Sequence, residues 1–515
     1  MEEISITPRE YQRKIFETCK EKDCLVILPT GTGKTLIALM LAVERFKKAP
    51  LEKVLILAPT RPLIEQHLEY FKKNLPEGWA DMQLFTGKTP STKRKEIWKT
   101  AEFIFSTPQC IANDLKKRLY KLDEVTLLIV DECHRCLKNY AYNHVAQKYK
   151  DQRFEKKGRV LGLTASPGSD KKTITEVCKN LGIEAVEIRT RKSPDVQKYL
   201  QKLEFEKIEV NFPPELEEIR VLLTEIYNRK VQELKNRKVL FGYASKTALL
   251  KLQARLMNEI RRGRNMNKML AASVCAQALK LSHAIELLET QTVSSFIAYL
   301  RDLFKQAAEA KSKGVQKLVK DPGFAKAYTL ATTLQIEHPK LELLRVLVEE
   351  QFEENEDSKI IVFAQFRETV LKIVETLEKI PDVKTANFVG QAMKEHGKGK
   401  LTGLKQKEQK KIIEQFKKGK INVLVATSIA EEGLDIPEVN EVIFYEPIPS
   451  AIRKIQRSGR TARLSKGSLK ILITKNTRDQ IYYYSSHHKE KRMHTAIDQI
   501  KSEFENNERQ GKLFK

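Results

Sequence analysis

Three short stretches of this 515-residue chain hold the residue types that phosphate chemistry needs. In the first, Pro29, Thr30, Gly31, Thr32, Gly33, Lys34 and Thr35 separate an apolar run (24–28) from a helically spaced one (36–43). Glycines at 31 and 33 let successive N–H groups converge, and a helix starting there aims its positive end at the same point. Such a cradle suits a phosphate chain, with Lys34 neutralising the β- and γ-phosphates and the Thr35 hydroxyl a Mg²⁺ ligand. Leu28 stands where the general pattern carries its first glycine.

The second stretch is Asp131-Glu132, directly after the apolar run 127–130. Asp131 is placed to hold Mg²⁺, and Glu132 to orient or deprotonate an attacking water. The third, QRSGRTAR at 456–463, carries three arginines in seven residues. Arg460 and Arg463 read as arginine fingers for a γ-phosphate, an element worth roughly a thousandfold in hydrolysis. Cys133 and Cys136 form a CxxC around His134, but no second cysteine pair lies at metal-ligand spacing. His134 fits better in the same crevice as the carboxylates.

These residues need elements to position them. Over residues 1–200, short apolar runs (24–28, 54–58, 103–106, 127–130, 160–163) alternate with helical patterns, the signature of a parallel sheet covered by helices. In such sheets ligands bind beyond the carboxyl ends of the strands, so the segments that follow the runs should line one crevice. From about 205 the pattern turns helical (215–240, 244–261, 269–309), with breaks near Gly314 and Pro322. Alternation resumes at 338, with strands at 360–363, 423–426, 442–445 and 469–474. The fold class expected is α/β: two parallel-sheet lobes with a helical insertion between them. The divisions are 1–203 for the first lobe, 204–335 for the insertion, 336–485 for the second lobe and 486–515 for a helical tail.

Composition narrows the function. No apolar run approaches the ~20 residues of a membrane span, and the acidic N-terminus is neither a signal nor a transit peptide. Seven scattered cysteines fit a reducing interior, so a cytoplasmic protein is expected. With 93 Lys+Arg against 67 Asp+Glu the net charge is +26, pointing to a polyanion such as nucleic acid. Between Arg229 and Lys320 there are 19 Lys+Arg and 6 Asp+Glu, half the excess in 92 residues.

The ordered set PTGTGKT (29–35), APTRPLIEQ (58–66), STPQ (106–109), DECH (131–134), TASPG (164–168), VFAQFRET (362–369), ATSIAEEGLDIP (426–437) and QRSGRTAR resembles a superfamily 2 helicase. With the helical insertion and LSHAIELLETQ at 281–291, the chain resembles the archaeal Hef and Fanconi anaemia M helicases. RIG-I-like receptors and Dicer are more distant, and DECH is the spelling of the RIG-I-like branch.

The resemblance implies two RecA-like lobes and ATP with Mg²⁺ as cofactors, Thr35 and Asp131 being the metal ligands. It implies that Arg9 and Gln12 serve the adenine, that Asp435 and Gln456 face the nucleotide, and that His134, Thr164 and Ser166 couple the two sites. Arg61, Thr107, Gln365 and Thr427 would grip a nucleic-acid backbone, although the threonines equally suit helix caps or strand ends. Binding would be sequence-independent and salt-sensitive. The activity implied is ATP-driven remodelling of forked or branched DNA in repair, in a prokaryotic, nucleoid-associated protein. The alternative is a double-stranded RNA helicase or sensor. Relatives often carry a nuclease domain; no ERKxxxD motif is present here, so the chain is expected to be helicase only or a fragment, with a nuclease domain or repair protein as the further partner the resemblance implies.

Overall fold

The computed structural model describes residues 3–509 except 154–157, 169, 202, 264, 391–393, 397–399, 403, 429–435, 451–456, 458–460 and 462–466. Seven strands build the first sheet: β1 (Cys24–Ile27), β2 (Lys53–Leu57), β3 (Met82–Phe85), β4 (Phe103–Ser106), β5 (Val125–Asp131), β6 (Arg159–Thr164) and β7 (Ala185–Ile188). They are all parallel, in the order β3-β4-β2-β5-β6-β1-β7. Helices cover both faces, so the central strands β1, β2, β4 and β5 are buried along their whole length. That is why they read as unbroken apolar runs rather than alternating ones.

The next strand, β8 (Leu203–Val210), leaves this lobe altogether. All eight of its residues pair in parallel with β15 (Gly467–Thr474), making β8 the edge of the second sheet. Placing the insertion at 204 therefore differs from the structure, in which 203–210 belongs to the second sheet. The sequence LEFEKIEV alternates charge and apolar residues and is largely exposed, as suits an edge that must not pair with another chain.

The insertion is a helical bundle opening with Pro214–Asn236 and Lys246–Arg262, followed by Met266–Thr290 and Val293–Ala308. Short helices at Lys313–Val319 and Pro322–Thr333 close it. Leu216, Ile219, Leu223 and Ile226 of the first helix pack on Leu281, Ile285 and Leu288 of the third. The stretch 269–309, expected to be continuously helical, breaks at Gln291, where the Thr292 hydroxyl caps the next helix by accepting from Ser295 N–H at 3.3 Å.

The second sheet adds β9 (Ile360–Phe363), β10 (Thr385–Phe388), β13 (Val423–Ala426) and β14 (Glu441–Phe444), with a separate hairpin of β11 (Lys394–His396) and β12 (Lys400–Thr402). Its order is β10-β13-β9-β14-β15-β8, again all parallel. A 32-residue helix, Arg478–Arg509, then runs about 48 Å at 1.5 Å per residue. It crosses the expected 485/486 division without a break. Its base sits on the second lobe, while Met493, Ile497, Ile500 and Phe504 are buried in the first lobe's core. Among the described residues, no helix is long and apolar enough to cross a membrane.

A wholly buried ion pair ties the insertion, the second lobe and this helix together. Lys340 Nζ donates to Asp479 Oδ2 and to the Thr290 carbonyl, both at 2.7 Å, and neither charged side chain is exposed. Asp479 also accepts the Thr474 N–H of β15 at 3.0 Å. Nearby, the Thr369 hydroxyl donates to Gln291 at 2.8 Å, joining the insertion to the segment after β9. Asp479→Asn leaves the Lys340 charge buried without its counter-ion. A loss of about 3–5 kcal/mol is expected in chemical denaturation, and a loss below about 1 kcal/mol would contradict the assignment.

Candidate functional site

Seven of the candidate sites lie at the carboxyl end of a strand. Residues 29–35 follow β1, Arg61 follows β2, Thr107 follows β4, Asp131 ends β5 and Thr164 ends β6. In the second lobe Gln365 follows β9 and Thr427 follows β13.

The phosphate cradle is formed as the glycines require. Gly31 and Gly33 lie at φ +78° and +82°, in the left-handed region, and the helix Lys34–Lys48 starts immediately after. Leu28, in the place of the usual first glycine, is wholly buried under the turn. Lys34 Nζ donates to the Leu28 carbonyl at 3.0 Å and the Pro29 carbonyl at 3.3 Å. Thr32 closes the turn by donating its hydroxyl to the Pro29 carbonyl at 2.6 Å.

The helix Glu10–Glu21 braces the loop from behind. Tyr11 Oη donates to the Thr32 carbonyl at 2.6 Å, and Gln12 Nε2 to the same carbonyl at 3.1 Å. Gln12 Oε1 accepts the Arg9 N–H at 2.8 Å. The amide expected to meet adenine is thus engaged at both ends, as a brace for the loop. Arg9 stacks its guanidinium 4.8 Å from the Tyr199 ring.

Beside the cradle, Asp131 is buried and its Oδ2 lies 2.8 Å from His67 Nε2. Burial pushes the Asp131 carboxyl up, but the His67 ring and nearby Lys34 outweigh it and hold the group below its ordinary value. Glu132 takes φ +48°, turning its side chain away from the strand line. Its Oε2 has negligible contact with solvent and lies 3.2 Å from His134 Nδ1. Two carboxylates beside an ammonium and a convergent turn suit a phosphate chain with a divalent cation. Thr35 and Asp131 are the residues that would hold the metal.

His134 begins a relay of contacts. Its Nδ1 lies 3.1 Å from Thr164 Oγ1, which donates to the Ser166 carbonyl and accepts the Ser166 N–H, each at 3.1 Å. Ser166 Oγ lies 2.9 Å from Met493 Sδ on the C-terminal helix. A cavity of about 720 Å³ opens alongside, between Pro29 and Thr30 of the cradle, Phe205 of β8, and Tyr483 and Met493 of the helix. Cys133 and Cys136 are buried in the first lobe's core, and burial raises both thiols, Cys136 to about 12.

After β2, Arg61 Nε donates to Glu65 Oε1 at 2.6 Å. Glu65 Oε2 accepts Lys410 Nζ of the second lobe at 2.8 Å, an ion pair across the cleft. Burial alone would raise the Glu65 carboxyl; the two cations hold it below its ordinary value. Thr107 occupies the N-cap position of the helix Pro108–Lys116 without using its side chain as the cap. Gln365 is exposed, and Thr427 is buried.

Asp435, Gln456, Arg460 and Arg463 lie outside the described residues. Their neighbour Arg457 is buried, with its guanidinium 4.7 Å from the Phe363 ring centre. Thr461 Oγ1 donates to the Val439 carbonyl at 2.7 Å, so Arg457 and Thr461 are both held on the second lobe. His67, Glu65, Lys410 and Met493 escaped the sequence reading. A lone histidine or glutamate on an amphipathic helix carries no signal until the fold supplies its partner.

Two parallel-sheet lobes, a glycine phosphate cradle, an acid pair and the ordered strand-end motifs define a superfamily 2 helicase core. Residues 9–174 match the DEAD/DEAH box helicase family and residues 339–465 the helicase conserved C-terminal domain. Residues 215–338 match the helical bundle described as that of a putative ATP-dependent RNA helicase. The chain is similar to the crystal structure of the Pyrococcus furiosus Hef helicase domain, with 42% identity and a TM-score of 0.70 over 93% of this chain and 98% of that one. A putative ATP-dependent RNA helicase of Methanocaldococcus jannaschii is 41% identical over 95% of this chain and 60% of its own length. The Fanconi anemia group M protein homolog of Mus musculus is 31% identical over 95% of this chain and 26% of its own length. The chain thus spans less than two thirds of these curated relatives. It belongs to the Hef and Fanconi anaemia M family of superfamily 2 helicases.

Gly33 tests the cradle directly, because a Cβ there would sit 2.3 Å from Gln12 Nε2 as well as at positive φ. Gly33→Ala should cost on the order of 1–3 kcal/mol and abolish the thermal shift produced by ATP. An unchanged shift would show that the loop does not bind nucleotide in this conformation.

Proposed function

We propose that the chain is a nucleic-acid-dependent ATPase that moves along forked or branched DNA and remodels it during repair of stalled replication, inside the cell on the chromosome. The observation that carries this reading is the division of the site. The cradle and acid pair lie on one lobe, and Arg457 and Thr461, on either side of Arg460 in sequence, are held on the other.

Lys34 holds the β- and γ-phosphates of ATP, and Glu132, positioned by His134, orients the attacking water and takes its proton. Thr35 and Asp131 would hold Mg²⁺, which would supply positive charge to the phosphate oxygens. Closure of the cleft carries Arg460 and Arg463 toward the γ-phosphate, with Gln456 and Asp435 facing the nucleotide. Arg61, Thr107, Gln365 and Thr427 hold one strand by its backbone. Each closure and reopening advances the lobes along it.

Glu65 fits this cycle as a carboxylate that occupies Arg61 until a phosphate replaces it. Glu65→Gln should tighten single-strand binding about two- to fivefold in fluorescence anisotropy, the scale of a partly exposed ion pair. Weaker binding would contradict the role.

The names of the Methanocaldococcus relative and of the helical-bundle family favour RNA as a second reading. The DNA helicases among the relatives, such as mph1 of Neurospora crassa at 34% identity, favour DNA. ATP hydrolysis titrated with forked DNA and with duplex RNA separates the two, forked DNA being expected to stimulate more. Lys34→Ala should lower the stimulated rate about 10²–10³-fold. Retention of that rate would remove the motor reading.

A further inference from the structure

The insertion shows one feature that packing does not explain. Phe241 is 76% exposed and Tyr243 is 88% exposed, the highest values for any aromatic side chain among the described residues. Neither ring has an aromatic contact there. Leaving two such rings in water forgoes the burial that aromatic residues ordinarily gain.

The rings are nevertheless held in place. They sit on the turn between the helices Pro214–Asn236 and Lys246–Arg262, on either side of Gly242 at φ +76°, whose Cβ position is open space. Before the turn, Leu240 is buried in the insertion's second core cluster, and the Val239 carbonyl accepts from Arg255 at 2.7 Å. After it, the Ala244 carbonyl accepts from Tyr227 Oη at 2.7 Å, and Ser245 caps the next helix. A turn pinned at both ends therefore presents two bare rings at its tip.

The surroundings say what the rings would meet. Between Arg229 and Lys268 the chain carries 12 Lys+Arg against 2 Asp+Glu, and Lys238 beside the turn is exposed. Exposed aromatics in a strongly basic surface match a strand whose phosphates are drawn by the cations and whose bases stack on the rings. A fully paired duplex offers no free base face. The partner that fits is an unpaired base next to a branch.

The geometry points to Phe241 and Tyr243 as a stacking platform for an unpaired nucleobase at the branch point. This rests on the branched-DNA reading above and adds the element that tells a fork from plain duplex. The protein's grip on a fork then depends on the platform, whereas its grip on paired DNA depends on the cations alone.

The test uses the whole chain with a fork carrying 5-iodouracil at the first unpaired position, irradiated and mapped by mass spectrometry, beside binding titrations. Cross-linking to Phe241 or Tyr243 is expected. The double variant Phe241→Ala/Tyr243→Ala should bind forks about 5- to 100-fold more weakly and blunt duplex unchanged, while Phe241→Tyr/Tyr243→Phe keeps the wild-type ratio. Unaltered melting of the double variant is expected, since both rings are largely exposed. Equal losses on fork and duplex, or cross-links confined to other segments, would overturn the platform. Failure of the wild-type chain to prefer any DNA would instead overturn the branched-DNA reading.

Discussion

The parallel pairing of β8 with β15 is the constraint on which the architecture depends. After completing the first sheet, the chain must donate eight residues to the edge of the second before it can build the insertion. The insertion is therefore attached at its start to the second lobe by a continuous ladder of backbone bonds. At its end, Lys340 and Asp479 lock it again with two charges that would each be costly to bury alone. Insertion and second lobe form one packed body.

The first lobe is joined to that body by contacts of a different kind. One is the long C-terminal helix, rooted at Asp479 and buried at its far end in the first lobe's core. Another is the Glu65–Lys410 pair, with Lys410 mostly exposed. The 720 Å³ cavity lies between the cradle, β8 and that helix. An ion pair through an exposed lysine and open space suit a cleft that changes width while the helix stays packed on both lobes. The Glu132–His134–Thr164–Ser166 relay ends on the same helix, so the candidate acid and the strap between the lobes share one line of contacts.

The legibility of the fold follows a physical rule. The strands read from sequence, β1, β2, β4, β5, β6, β9, β13, β14 and β15, are the interior strands of the two sheets. Buried on both faces, most of them are short continuous apolar runs, which makes them legible. Those missed are β3, β7, β8 and β10, the four edges of the two large sheets, and the separate β11–β12 hairpin. Segments such as LEFEKIEV keep charge against stray pairing and so lose the pattern that identifies a strand. The missed edge at β8 moved the expected start of the insertion. At the site, glycines and adjacent carboxylates were legible because their chemistry is local. His67 on Asp131 and Glu65 on Arg61 were not, because each pairing is created by the fold.

The central claim is that the second lobe and insertion swing together against the first lobe. Distances between spin labels at exposed Leu51, Glu356 and Lys320 measure it in one experiment, on the chain alone and with forked DNA and a non-hydrolysable ATP analogue. Labels at Leu51 and Glu356, on different lobes, should draw closer, while Glu356 and Lys320 keep a single unchanged distance. A shift between Glu356 and Lys320, with Leu51 and Glu356 fixed, would contradict the account.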